Sequence, residues 1–243
     1  GVLHYLPFNA LYDGKNFIIE KTEVCYLPSA SALKFLRSEP DKKEDKKQFL
    51  GIANPDLGDT ALSLKFAEEE VKTIAPLFIA SKVFYKGEAS EGKVVSYGKD
   101  YDIIHFACHG IFNESKPLYS ALLLSKDREN DGRLQAYELF GIELKEADLI
   151  VLSACQTALA RLTKGEDLIG LSRGFFYAGT PSLVASLWKV DDQSTGYLMS
   201  QFYKNLNRGM DKAVALKNAQ IVTKEKFPHP FFWAPFILIG DWR

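Results

Sequence analysis

The chain of 243 residues is 47% apolar and 25% charged, and its 30 basic and 31 acidic residues leave a net charge of -1. That composition excludes a disordered or fibrous chain and gives no bulk field for nucleic acid or anionic lipid. The longest apolar run, 231–239, is about half of the ~20 residues a membrane span needs, and the three cysteines, Cys25, Cys108 and Cys155, show no metal-type spacing, so a reducing, cytoplasmic setting without a membrane is expected.

Three short strands are expected near the start, at 5–11, 16–21 and 24–27, the first two joined by a hairpin at Asp13-Gly14. A helix over 29–37 closes this β-rich N-terminal piece, and the charged run 38–47 reads as an exposed connector. The body, 48–243, alternates strand and helix: strand 49–53 ending at Asn54-Pro55, helix 67–77, strand 82–85, helix 90–97 and strand 101–108. Then come an inserted hairpin at 122–124 and 133–135, strand 149–153, helix 166–178, strand 182–188, helices 192–206 and 210–223, and strand 236–239. Alternation of this kind predicts an α/β fold with a largely parallel central sheet flanked by helices, and one domain over 1–243 is expected. The absence of an initiator methionine suggests a domain excised from a longer protein.

Ligands of open α/β sheets bind beyond the carboxyl ends of the strands. One apolar strand ends in His109-Gly110 and another in Ala154-Cys155. If the two strands are neighbours, their ends lie about 4.8 Å apart, or about twice that with one strand between, either within reach of a Cys-His dyad. A thiolate is a nucleophile, and an imidazole takes up or donates protons near neutral pH. Backbone N–H groups of Gly110 and Cys155 are candidates for an oxyanion hole. His105, four residues before His109 in the strand, reads as a packed, hydrogen-bonded core histidine, Cys108 as a core residue because it alternates away from His109, and no metal site is expected.

Three segments, His105-Phe106-Ala107-Cys108-His109-Gly110, Leu152-Ser153-Ala154-Cys155-Gln156-Thr157-Ala158 and Ala185-Ser186-Leu187-Trp188-Lys189-Val190-Asp191-Asp192, together resemble motifs of the CHAT domain, a caspase-like and separase-like cysteine peptidase module. The resemblance implies a caspase-hemoglobinase-like α/β fold, His109 as catalytic histidine and Cys155 as nucleophile, with no cofactor. It also implies an upstream tetratricopeptide repeat region. Bacterial members of the family appear in defence, some attached to RNA-guided effectors. Cys108 departs from the threonine often found in the family, and Gln156 from the glutamate.

The expected function is therefore a cysteine endopeptidase that cleaves a protein substrate under the control of an upstream domain, an activating protein or an RNA-guided effector. The alternative is a silent or gated scaffold module that binds a protein partner. Candidates for the substrate pocket are Glu166, Asp167, Asp191 and Asp192, which would favour a basic side chain, and Trp188 as an apolar wall. Asp192 also reads as a helix N-cap. A monomer without direct nucleic-acid binding is expected.

Overall fold

Apolar strands covered on both faces form the centre of the molecule, as their nearly continuous hydrophobic runs require. The computed structural model describes residues 6–29, 31, 47–113, 115–153, 155–156, 166–188 and 190–243, with the backbone alone described at 155–156 and 166–169. The strands are β1 (Cys25–Tyr26), β2 (Gln48–Pro55), β3 (Ala80–Lys86), β4 (Ile103–Ala107), β5 (His109–Ile111), β6 (Ala121–Leu123), β7 (Arg133–Gln135), β8 (Leu149–Leu152), β9 (Cys155–Gln156), β10 (Ser182–Ser186) and β11 (Phe236–Gly240). The helices are α1 (Ile18–Lys21), α2 (Lys65–Ile74), α3 (Glu91–Tyr97), α4 (Glu166–Tyr177), α5 (Asp192–Asn207), α6 (Lys212–Lys226) and α7 (Pro230–Trp233).

The main sheet has the order β1-β11-β10-β8-β4-β2-β3. All its pairings are parallel except β10 with β11. Strand alternation divides the core between the two faces. Ile104, Phe106, Ile150 and Leu152 pack with Val94 of α3 and Leu171 and Phe175 of α4. Ile103, Ala107, Leu149 and Val151 pack with Val71 and Ile74 of α2, Leu198 and Phe202 of α5, and Leu216 of α6. Gly51 lets α2 approach the sheet, since a Cβ there would stand 2.6 Å from Val71 Cγ1.

A second sheet, β7-β6-β5-β9, caps the carboxyl ends of β4 and β8. The expected hairpin is present as β6 and β7. The N-terminal piece differs from its expected three strands. A 3-10 turn at Phe8–Ala10, α1 and the two-residue β1 replace them. The Asp13-Gly14 turn survives as a single Tyr12–Phe17 bridge, with Asp13 Oδ1 accepting from the N–H groups of Lys15 and Asn16. Packing overrides the aromatic, β-branched composition here: Ile19 is buried against Trp233 of α7, and the Phe17 and Trp233 rings meet at 5.1 Å. The expected helix 29–37 and connector 38–47 lie almost wholly outside the described residues.

Candidate functional site

The two expected strands are neighbours, with Phe106 of β4 in register with Leu152 of β8. Each chain then runs three residues further into the second sheet, where His109 of β5 is the parallel register partner of Cys155 of β9. One inter-strand spacing, about 4.8 Å, therefore separates the two backbones. The ladder between the sheets is kept by the Ser153 N–H, which donates to the Phe106 carbonyl at 2.9 Å.

His109 is buried, and its Nε2 lies 2.8 Å from the Leu62 carbonyl oxygen. A carbonyl only accepts, so Nε2 carries the proton, and in the neutral ring Nδ1 holds the free lone pair. That nitrogen is buried and has no hydrogen-bond partner among the described residues. The imidazole is thus oriented by one nitrogen and chemically available at the other, the arrangement a proton-transfer group needs.

Gly110 is in the middle of the second sheet, between Leu122 of β6 and Gln156 of β9, whereas β9 lies at that sheet's edge. A Cβ at Gly110 would meet Phe112 and Ala121 only at ordinary contact distances of 3.6 to 3.8 Å, so packing does not demand glycine at this position.

Beside the pair is a shallow cleft lined by Leu64, Phe66, Ala67, Glu70, Ser153, Val190, Asp192 and Thr195. Leu64 follows the residue that holds His109 by two positions, and Ser153 precedes Cys155 by two. The cleft floor is polar. Glu70 Oε2 accepts from Ser153 Oγ at 3.1 Å, and Glu70 Oε1 lies 3.1 Å from His105 Nε2 without the alignment of a hydrogen bond. Thr195 Oγ1 is buried with no hydrogen-bond partner among the described residues. Behind this floor His105 Nδ1 meets the Tyr203 hydroxyl at 2.9 Å. Burial, and then the Glu70 charge, hold the Tyr203 phenol well above its ordinary range, so it stays neutral and able to donate.

Asp191, not Asp192, is the N-cap of α5, its Oδ1 accepting from the Ser194 N–H at 2.9 Å. That leaves Asp192 to line the cleft. Trp188 turns to α7, donating from Nε1 to the Phe231 carbonyl at 3.2 Å and packing beside Ile19 and Trp233. Glu166 and Asp167 open α4, and their side chains lie outside the described residues. His105 and Cys108 are fully buried in the core, as expected.

Glu70, Leu62 and Thr195 were not singled out by sequence reasoning. For Glu70 a signal exists: Ala67, Glu70, Val71 and Ile74 follow the i, i+3, i+4, i+7 spacing of a buried helix face, and Glu70 is the one acid in it. Burial pushes the Cys25 thiol up to about 11, which makes it a poor nucleophile. Among the described residues no group of three or more acidic, histidine or cysteine side chains is placed to hold a metal ion, and no helix is long and apolar enough to cross a membrane.

The CHAT domain matches residues 1–241 of the chain. Tetratricopeptide repeat protein 28 of Homo sapiens is 25% identical over 291 residues, covering 99% of this chain and 12% of the relative. Its Mus musculus counterpart is 23% identical over 296 residues, with the same coverage of 99% and 12%. The chain therefore spans only about an eighth of these relatives. Among solved structures, the Arg-specific cysteine proteinase gingipain R superimposes with a TM-score of 0.59 at 12% identity, covering 81% of this chain and 46% of that one. The Saccharomyces cerevisiae separase-securin complex gives 0.63 at 15% identity, covering 98% and 14%. At such identities the likeness is one of fold, the caspase-like α/β arrangement.

Proposed function

The chain belongs to the CHAT domain family, and from that premise we propose that it is a cysteine-type endopeptidase with His109 and Cys155 as its dyad. The observation that carries the reading is the register pairing of these two residues, with His109 held at Nε2 and available at Nδ1. The Cys155 thiol gives its proton to Nδ1, and the thiolate attacks the carbonyl carbon of the scissile peptide. The protonated imidazole then donates that proton to the departing amine as the C–N bond breaks, leaving an acyl-enzyme that water hydrolyses. Backbone N–H groups of Cys155 and Gly110 stabilise the developing oxyanion, the latter by leaving its place in the ladder.

The cleft takes the side chain next to the scissile bond. Its floor is a carboxylate, Glu70, with the exposed Asp192 also lining it, so a lysine or arginine side chain is the complementary occupant. The arginine specificity named for gingipain R, a protein of similar fold, supports the same choice. Regulation by a tetratricopeptide repeat region and by a protein partner is part of the proposal, because the relatives carry that repeat in their names.

The test is cleavage of a peptide library varied at the residue before the cut. Hydrolysis after Lys or Arg, lost in both His109→Ala and Cys155→Ala and weakened in Glu70→Gln, is the expected result. Hydrolysis that survives in Cys155→Ala would overturn the assignment. A folded domain that cleaves nothing, alone or with its upstream region and partner, would favour the scaffold that binds a protein partner.

A further inference from the structure

The Leu62 carbonyl that orients His109 belongs to a turn, not to a regular element. Thr60–Leu62 is a single 3-10 turn, and its stability alone would not fix a carbonyl to a fraction of an ångström. Asp59 caps the turn at its start, its Oδ1 accepting from the Ala61 N–H at 2.9 Å, and a residue of β2 anchors its far end. Asn54, at the carboxyl end of β2, is fully buried, and its φ of 46° lies in the left-handed region. Asparagine is among the few residues other than glycine that visit this region at modest cost. The conformation coincides with a register shift between β2 and β3 at Ala53/Pro55. Its Oδ1 accepts from the Leu64 N–H at 2.6 Å, and its Nδ2 donates to Glu68 Oε1 at 2.7 Å. Glu68 is in turn 3.4 Å from Lys86 Nζ, which also donates to Ser63 Oγ at 2.9 Å. The amide thus ties the turn to β2 and to the first turn of α2.

We propose that Asn54 is a positioning residue for His109, fixing the turn so that the Leu62 carbonyl holds the proton on Nε2 and leaves Nδ1 free. The inference rests on the peptidase reading only for its effect on rate. Its effect on the imidazole stands independently of any activity. Both bonds of the amide are needed, because the acceptor fixes Leu64 and the donor fixes the amide's own orientation through Glu68.

The experiment compares the wild type with Asn54→Gly, which keeps access to positive φ while removing the amide, and with the double variant Asn54→Asp, Glu68→Gln. The double variant keeps the Leu64 acceptor and reverses the donor and acceptor between positions 54 and 68. The primary readout is the nitrogen-resolved imidazole NMR spectrum of His109, with thermal unfolding recorded alongside. The expected result is a single Nε2–H form in the wild type, a mixture of both tautomers in Asn54→Gly, and a return to Nε2–H in the double variant. For peptide hydrolysis, kcat falls on the order of tenfold in Asn54→Gly with KM little changed, as for a misplaced catalytic group, and the double variant recovers it. A folded Asn54→Gly with an unchanged His109 spectrum would overturn the proposal. A changed spectrum in a protein that cleaves nothing would uphold it and count against the peptidase reading instead.

Discussion

Removing the Tyr203 hydroxyl by Tyr203→Phe is the cleanest probe of the polar floor behind the site. The ring is fully buried and stays packed against Phe49, Phe78 and Phe202 after the change, so the perturbation is one hydrogen bond. That bond, 2.9 Å long, is the one partner of His105 Nδ1 among the described residues. His105 is itself fully buried, so its nitrogen is left without a partner and without water. Leaving one buried polar group unsatisfied costs about 1–3 kcal/mol, and we expect about 2 kcal/mol here. At roughly 2–4 °C per kcal/mol for a chain of this size, Tm falls by about 4–8 °C. Urea unfolding followed by tryptophan fluorescence should show a lower midpoint with an unchanged m-value. A change below about 0.5 kcal/mol would mean that the hydroxyl and the imidazole are not bonded, and the buried network linking α5 to the site would have to be redrawn.

Other perturbations separate packing from chemistry. Gly110→Ala should leave Tm within a few degrees, since the added methyl meets only ordinary contacts, while kcat/KM falls on the order of a hundredfold because a Cβ obstructs the approach of substrate to the backbone. An equal rate would place the oxyanion elsewhere. Gly170→Ala should do the opposite for stability: a Cβ there would stand 2.2 Å from the Pro117 carbonyl oxygen, and a loss of about 1–3 kcal/mol is expected by calorimetry as α4 is forced outward. Glu91, at the start of α3, is raised to about 7 by burial, then by the charges of Glu138 and Asp131. Its folded-state affinity for the proton exceeds the unfolded one, so its contribution is present below about pH 4.5 and is lost as pH rises through 7. Wild-type stability should therefore drop between pH 5 and 8 relative to Glu91→Gln, by on the order of 2 kcal/mol in chemical unfolding. Parallel pH profiles would remove Glu91 as the source.

Much of the scaffold was legible because burial on both faces leaves a plain record. Residues 49–53, 103–107, 149–152 and 182–186 are largely apolar runs, and all four are mutually parallel strands of the main sheet. His109 and Cys155 were legible for the same reason, as polar residues just past the ends of such runs. Their meeting in a second sheet was not, because β5 and β9 are two or three residues long and too short to carry a period. The N-terminal turns misled because Phe17, Ile18 and Ile19 have the composition of a strand, and only the distant Trp233 decides their conformation. Asn54, Glu68 and Glu70 escaped notice because their roles come from partners brought together by folding: Leu64 and Glu68 for the first, His105 and Ser153 for the last. A local reading takes Asn54-Pro55 as a turn and Glu68-Glu69-Glu70 as a solvated helix face, and the second of these holds only in part.

Intact-mass labelling with a peptide acyl-fluoromethylketone bearing lysine or arginine tests the dyad most directly, with Cys25 and the buried Cys108 serving as internal thiol controls. The wild type should take up one adduct, mapped to Cys155, and both Cys155→Ala and His109→Ala should take up none while remaining folded. A folded wild type that stays unlabelled both with and without the upstream repeat region, although a small alkylating reagent modifies Cys155, would contradict the peptidase assignment.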